Sequence, residues 1–301
     1  MRISFSLGSS LALAGALALG ACSSSNGNPV DSGVDTTAPM DTSTAINVSI
    51  AGIAAPHPIT TLVGMNPLTD FAQLLVAVVD PMVVIATPTA PPLAGGALDT
   101  SPANCTSGCA WGFPSVDISK IQLGLVGIVD DARTADKLWV KTGTGAGSAA
   151  FITMEKASMA PITGIRLFAV SKATEAGLAT FAGTYGPDST VAPGVLESRG
   201  FMLATVVDKL SVGAGPVAGA MITTSDTRTH IIYPNAAFNG LSTTGTAAHG
   251  TVLVVPKSAT PTSIVATWTI TPPTGDTHVW PSFTAGTSPG TAFALLFPAN
   301  E

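Results

Sequence analysis

Short apolar runs punctuated by Gly, Pro, Ser and Thr constrain this chain more than any other feature. Several of them alternate with period two, the spacing of a strand with one buried face. Ile46, Val48 and Ile50 alternate with Asn47 and Ser49. Ile264, Ala266, Trp268 and Ile270 alternate with Val265, Thr267, Thr269 and Thr271, and Phe293, Leu295 and Phe297 share one face of a final strand. Denser runs at 74–79, 121–129, 201–207 and 251–255 read as more buried strands, their β-branched content arguing against helices. One helix stands out, Lys172 to Ala182, with Ser171 as its N-cap and Gly183 as its stop; a helical turn is expected at Asp130–Asp136. Strands without a regular helix between them predict a mainly β chain of two antiparallel β-sandwich-type domains. The stretch 184–194 is rich in turn residues and divides them into 45–185 and 195–301.

The N-terminus has a different character. Arg2 precedes an apolar run from Leu7 to Leu19, too short to span a bilayer, which takes about 20 residues. Leu19-Gly20-Ala21-Cys22 closes that run and resembles the lipobox of bacterial lipoproteins. The resemblance implies that residues 1–21 are a signal peptide, removed before Cys22, and that Cys22 carries the lipid. The bland alternative is an ordinary secretory signal in which Cys22 is incidental. One acyl chain holds a protein to a bilayer only marginally, whereas the several chains of a lipoprotein cysteine make attachment lasting. Ser23 follows where an Asp would favour inner-membrane retention, so the expected place is the outer membrane of the cell envelope. Residues 22–44 are small, polar and Pro/Gly-containing, and read as a flexible tether.

Only 10% of the residues are charged and the formal net charge is −6, so neither a nucleic-acid footprint nor a polybasic membrane stripe is present. Cys105 and Cys109 are the two cysteines besides Cys22, and outside the cytoplasm they are expected to pair. So small a loop gives such a bond only about 2 kcal/mol in the chain-entropy picture, enough to pin a turn. Free thiols or half of a zinc site are the alternatives, but no second Cys/His pair stands at ligand spacing.

Within 195–301, a strand over Met202–Val207 leads to Asp208, then to Gly215-Pro216-Val217-Ala218-Gly219-Ala220-Met221-Ile222. Thr246-Ala247-Ala248-His249-Gly250-Thr251-Val252 follows. These residues resemble the opening hairpin and the next turn-and-strand of carboxypeptidase regulatory-like domains, which are transthyretin-like β-sandwiches. Ala247 replaces the family's usual Asp and Val252 its usual aromatic. The resemblance implies an accessory module and brings no active-site residues with it. Residues 45–185 resemble no family.

Motifs of catalysis are incomplete. Gly286-Thr287-Ser288-Pro289-Gly290 matches a nucleophile elbow by letters, but no His or Asp follows it and a strand comes next. Gly213, Gly215 and Gly219 are followed by a Thr-rich stretch rather than a helix, and the Gly143–Ser148 run lacks the Lys of a phosphate loop, so it reads as a flexible turn. His57, His230, His249 and His278 have no metal-ligand spacing, and Asp130, Asp131 and Asp136 lack that of an EF-hand, leaving a solvated loop. Trp268 is expected in the core. Trp280, beside turn residues, is the candidate ligand-contact aromatic. The sequence therefore predicts a lipid-anchored envelope protein, not an enzyme, that binds or scaffolds. No cofactor, metal, nucleotide or nucleic acid is expected. Its partners would be the membrane through acylated Cys22, and envelope polysaccharide, peptidoglycan or protein. An exported hydrolase or metal-dependent enzyme with a non-motif site in the N-terminal half is one alternative; a passive surface component is another.

Overall fold

Alternation sets the strands. The computed structural model describes residues 44–65, 70–81, 90–101, 105, 108–122, 124–209 and 214–299. The expected signal peptide with Cys22 and Ser23, the tether up to 43, and Asn104, Thr106, Ser107 and Gly213 lie outside the described residues. In chain order the strands are β1 (Asn47–Pro56), β2 (Leu74–Val79), β3 (Ala94–Ala97), β4 (Cys109–Asp117), β5 (Gly124–Asp131), β6 (Trp139–Val140), β7 (Thr142–Ser148) and β8 (Ile162–Ser171). They continue as β9 (Phe201–Val207), β10 (Met221–Thr224), β11 (Thr229–Ile232), β12 (Thr251–Pro256), β13 (Ile264–Thr271), β14 (Phe283–Thr287) and β15 (Ala292–Pro298). The helices are α1 (Ile59–Leu62), α2 (Ala149–Ser158), α3 (Lys172–Tyr185) and α4 (Val195–Arg199).

The chain is mainly β and of sandwich type. Among the described residues three sheets form, in the orders β4-β1-β8-β6, β10-β13-β14 and β11-β12-β9-β15-β7-β5-β2-β3. Pairing is mixed, which corrects the purely antiparallel expectation: β1–β8, β15–β7 and β15–β9 run parallel. The last strand causes much of this. It returns to the middle of the largest sheet, between β9 and β7, so that sheet is continuous from residues before 185 to residues after 195.

The eight-stranded sheet is covered on both faces. One face holds Val76, Leu125 and Val129, which pack with Ile50, Trp111 and Leu167 of the four-stranded sheet. Further along that face Phe201, Leu203 and Leu253 meet Leu178, Ala179 and Ala182 of α3. On the opposite face Met202, Ala204 and Val206 meet Ile222, Trp268 and Ile270 of the three-stranded sheet. The expected alternation in β13 is complete: Ile264, Ala266, Trp268 and Ile270 are buried and the residues between them exposed. Where β8 crosses β7, the Thr144 and Thr142 hydroxyls accept the Phe168 and Val170 N–H groups at 3.0 and 3.3 Å.

Several local expectations change. The Gly143–Ser148 run is strand β7, not a flexible turn. Phe293 lies over Gly143 so closely that a Cβ there would sit 2.8 Å from its ring. No helical turn forms at 130–136; β5 runs through Asp131 and the chain then bends. Helix α3 starts at the expected cap, the Ser171 hydroxyl accepting the Thr174 N–H, but passes through Gly183 to Tyr185. The hairpin expected after β9 is brief. Val207 bridges Pro216 and Val217 donates to Val206, after which the chain turns at Gly219 (φ +80°) and crosses to the other sheet as β10.

Candidate functional site

A shallow depression of about 580 Å³ lies where the irregular segment 233–250 meets the turn at 217–220. Gly219, Asn235, Leu241, Ser242, Thr244 and Thr246 line it, with alanines between them. Asn235 organises one wall, its side-chain oxygen accepting the N–H groups of Ala237 and Asn239, both at 3.2 Å. Thr246 builds the other: its hydroxyl accepts the Ala220 N–H at 2.9 Å and donates to Val217 at 2.7 Å. The lining carries hydroxyl, amide and methyl groups, so the chemistry it offers is hydrogen bonding and contact with a neutral partner.

Behind this wall His249 is held by three groups. Its Nδ1 accepts the Thr251 N–H at 3.0 Å, which leaves Nε2 to carry the proton and donate to the Asn235 carbonyl at 3.3 Å. Its ring lies 5.0 Å from that of Phe238. Burial holds its pKa below the usual histidine value. His249 is therefore a neutral strut.

Trp280 is not in the lining; it stands on the loop after β13 that adjoins the depression. Pro273 of that loop comes within 3.2 Å of where a Cβ on Gly219 would lie. The Trp280 indole is half-buried against the core that contains Trp268, and its N–H donates to Asp276 Oδ2 at 3.2 Å. Asp276 Oδ1 accepts the His278 backbone N–H at 2.7 Å and lies 2.6 Å from His278 Nδ1. The backbone bond from His278, ahead of other causes, holds the Asp276 carboxyl below its usual range. The carboxylate thus fixes the indole and imidazole while leaving the Val279 side chain 67% exposed.

The other sequence candidates are placed apart. Cys105 and Cys109 form a disulfide, with Cys109 buried at the start of β4 beside Trp111. Cys22 lies outside the described residues. His57 is buried, accepts the Ile59 N–H at 3.1 Å, and is driven by desolvation to a pKa of about 3. Ser288 sits in the turn between β14 and β15 and accepts the Ser263 hydroxyl hydrogen at 3.3 Å. Among the described residues no three His, Cys, Asp or Glu side chains gather as metal ligands.

Asp131 departs from the solvated-loop expectation: it is buried. Its carboxylate accepts the N–H groups of Arg133, Leu138 and Trp139 and pairs with the Arg133 guanidinium at 2.9 Å. Desolvation pushes its pKa up, but those bonds together bring it below the usual value. Glu175, Arg199 and Tyr233, unlike Asp131, are not singled out by the sequence. The Glu175 carboxylate accepts the N–H groups of Gly194 and Glu197 at the head of α4, beside the Lys172–Glu197 ion pair. Arg199 is buried and bonds Asp188 at 2.7 Å and Thr190 at 2.9 Å. Only the acidic spacing near 130 and the Thr-Tyr-Gly-Pro-Asp turn hinted at any of these.

No protein-family model matches the chain, and no curated protein does. Solved structures align with it at low similarity. The shaft pilin SpaA from Lactobacillus rhamnosus GG is 12% identical, covering 86% of this chain and 99% of that one at a TM-score of 0.21; a double mutant of it is 11% identical with the same coverage and score. GBS52, a minor pilin of Streptococcus agalactiae, is 8% identical, covering 84% and 95% at 0.23.

Proposed function

We propose that the chain is a lipid-anchored cell-envelope protein with a non-catalytic binding or scaffolding role, its β body joined to the membrane through acylated Cys22. The observation that carries this reading is Leu19-Gly20-Ala21-Cys22 at the end of the apolar N-terminal run. The paired Cys105 and Cys109 support it, because such a bond persists in oxidising compartments. Face-to-face packing of β10-β13-β14 on the β9 and β12 end of the largest sheet supports a transthyretin-like sandwich arrangement within 195–301, joined to the rest of the body through β15. The hydroxyl- and amide-lined depression, with Trp280 on the next loop, suits a neutral sugar stretch of an envelope polymer, such as a polysaccharide or the glycan strand of peptidoglycan.

Expression in a Gram-negative host with mass analysis of the mature N-terminus tests the anchor. The reading expects a chain starting at a triacylated Cys22 in the outer-membrane fraction, and Cys22→Ser to remain unprocessed. A mature chain with an unmodified Cys22 thiol overturns it. Pull-down on purified peptidoglycan and polysaccharide tests the binding role; retention that is lost with Trp280→Ala supports it, and no retention on either favours a passive surface component.

A further inference from the structure

Strand β10 ends the β10-β13-β14 sheet, so one of its edges has no strand partner among the described residues. In an antiparallel ladder alternate residues turn their N–H and C=O to opposite sides. Ile222 is the central outward-facing residue of β10, and a single side chain occupies both its groups. The Ile222 N–H donates to the Tyr233 hydroxyl oxygen at 2.7 Å, and the Tyr233 O–H donates to the Ile222 carbonyl at 2.9 Å. One outward position earlier, Thr246 does the same for Ala220: its hydroxyl accepts the Ala220 N–H at 2.9 Å and its N–H donates to the Ala220 carbonyl at 2.8 Å.

An edge strand with bare N–H and C=O groups is a template for another strand, and proteins usually blunt it with Lys, Pro or a bulge. The Met221-Ile222-Thr223-Thr224 strand contains no charge and no proline, and its pairing with β13 runs in unbroken register. Its deterrent is the plug. We propose that Tyr233 is an edge lock, whose hydroxyl keeps β10 from pairing with β10 of a second copy. Self-pairing is the specific alternative because two antiparallel copies related by a two-fold axis put Ile222 opposite Ile222. Each then supplies the donor and acceptor that Tyr233 supplies within one chain. Burial raises the Tyr233 pKa, so its proton stays in place at neutral pH and the hydroxyl both donates and accepts.

Tyr233→Phe in the full chain tests this, because it removes the hydroxyl and keeps the ring. Sedimentation across a concentration series is expected to show self-association at least about tenfold tighter than in the parent, since two outward groups gain partners only in the pair. Hydrogen exchange at the Ile222 amide should be fast in the dilute variant and protected in the associated one. Adding Thr223→Lys, a charge on the same edge, should reverse the association. Should Tyr233→Phe not fold, Tyr233→Met, which also removes the hydroxyl from both Ile222 groups while filling the ring's space, carries the same expectations. A folded variant with the parent's association constant overturns the proposal, as does association that Thr223→Lys leaves unchanged.

Discussion

Two carboxyl groups close in sequence respond to pH in opposite senses. Bonds from Thr190 and Arg199 hold the Asp188 carboxyl at a pKa of about 2. A depressed carboxyl stabilises the fold above its unfolded value near 3.8, and that contribution is lost as pH falls toward 2. Asp188→Asn should therefore cost roughly 1–3 kcal/mol at pH 7 by urea denaturation, because a buried guanidinium loses its charged acceptor. The gap between variant and parent should close between about pH 4 and 2; a constant gap would show that the ion pair is not its origin. Glu175 runs the other way. Desolvation, the largest influence, raises its pKa above the usual carboxylate value. Its folded state favours the proton, so its contribution is greatest below 4.5 and is lost as pH rises through that value to the raised one. Glu175→Gln should thus gain stability relative to the parent as pH rises through that window, measured on the same denaturation series. A variant that instead loses ground with rising pH would show that the bonds from Gly194 and Glu197 outweigh burial.

Gly183 carries the clearest lesson about elements. As a helix terminator it would tolerate Ala poorly only if its φ were positive, and mid-helix Gly→Ala ordinarily gains about 1 kcal/mol. Here α3 continues past it, and a Cβ at 183 would lie 2.2 Å from the Val191 carbonyl oxygen. Gly183→Ala is therefore expected to destabilise by about 1–3 kcal/mol in thermal melts, the cost of an overpacked contact; a stabilised variant would refute the close approach. The glycine is visible in the sequence, but its partner eight residues later is not. The same limit explains what else could be read. Burial of Trp268 and the cap at Ser171 were legible because period-two alternation and a cap residue are local signals. The parallel seat of β15 was not, since periodicity fixes which face a strand buries and is silent about its neighbour's direction. Nor was β7, whose glycines look like a turn until Phe293 and Leu295 are laid over them. The depression escaped because its walls come from two segments distant in sequence, hydrogen-bonded to each other through Thr246.

At the scale of the molecule, the position of β15 decides how the chain unfolds. Independent domains melt as separate units, each keeping its own core. Here Ala292–Ala294 pair with Thr142–Thr144 on one side while Ala292–Pro298 pair with Phe201–Val207 on the other. Helix α3, from before the expected boundary, packs on Phe201 and Leu253 from after it. The intervening segment is tied as well, through Glu175 to Gly194 and through Arg199 to Asp188. Melting one half alone would bare the edges of β7 or β15 and strand buried charges at once. The whole body is thus expected to unfold in one calorimetric transition, with the van't Hoff and calorimetric enthalpies in agreement. A fragment ending at residue 190 should lack fixed near-ultraviolet dichroism and bind hydrophobic dye, because β7 and α3 have lost the surfaces that bury them. Two separable transitions, or a natively folded fragment, would mean that the β15 seam contributes little and that each half stabilises itself.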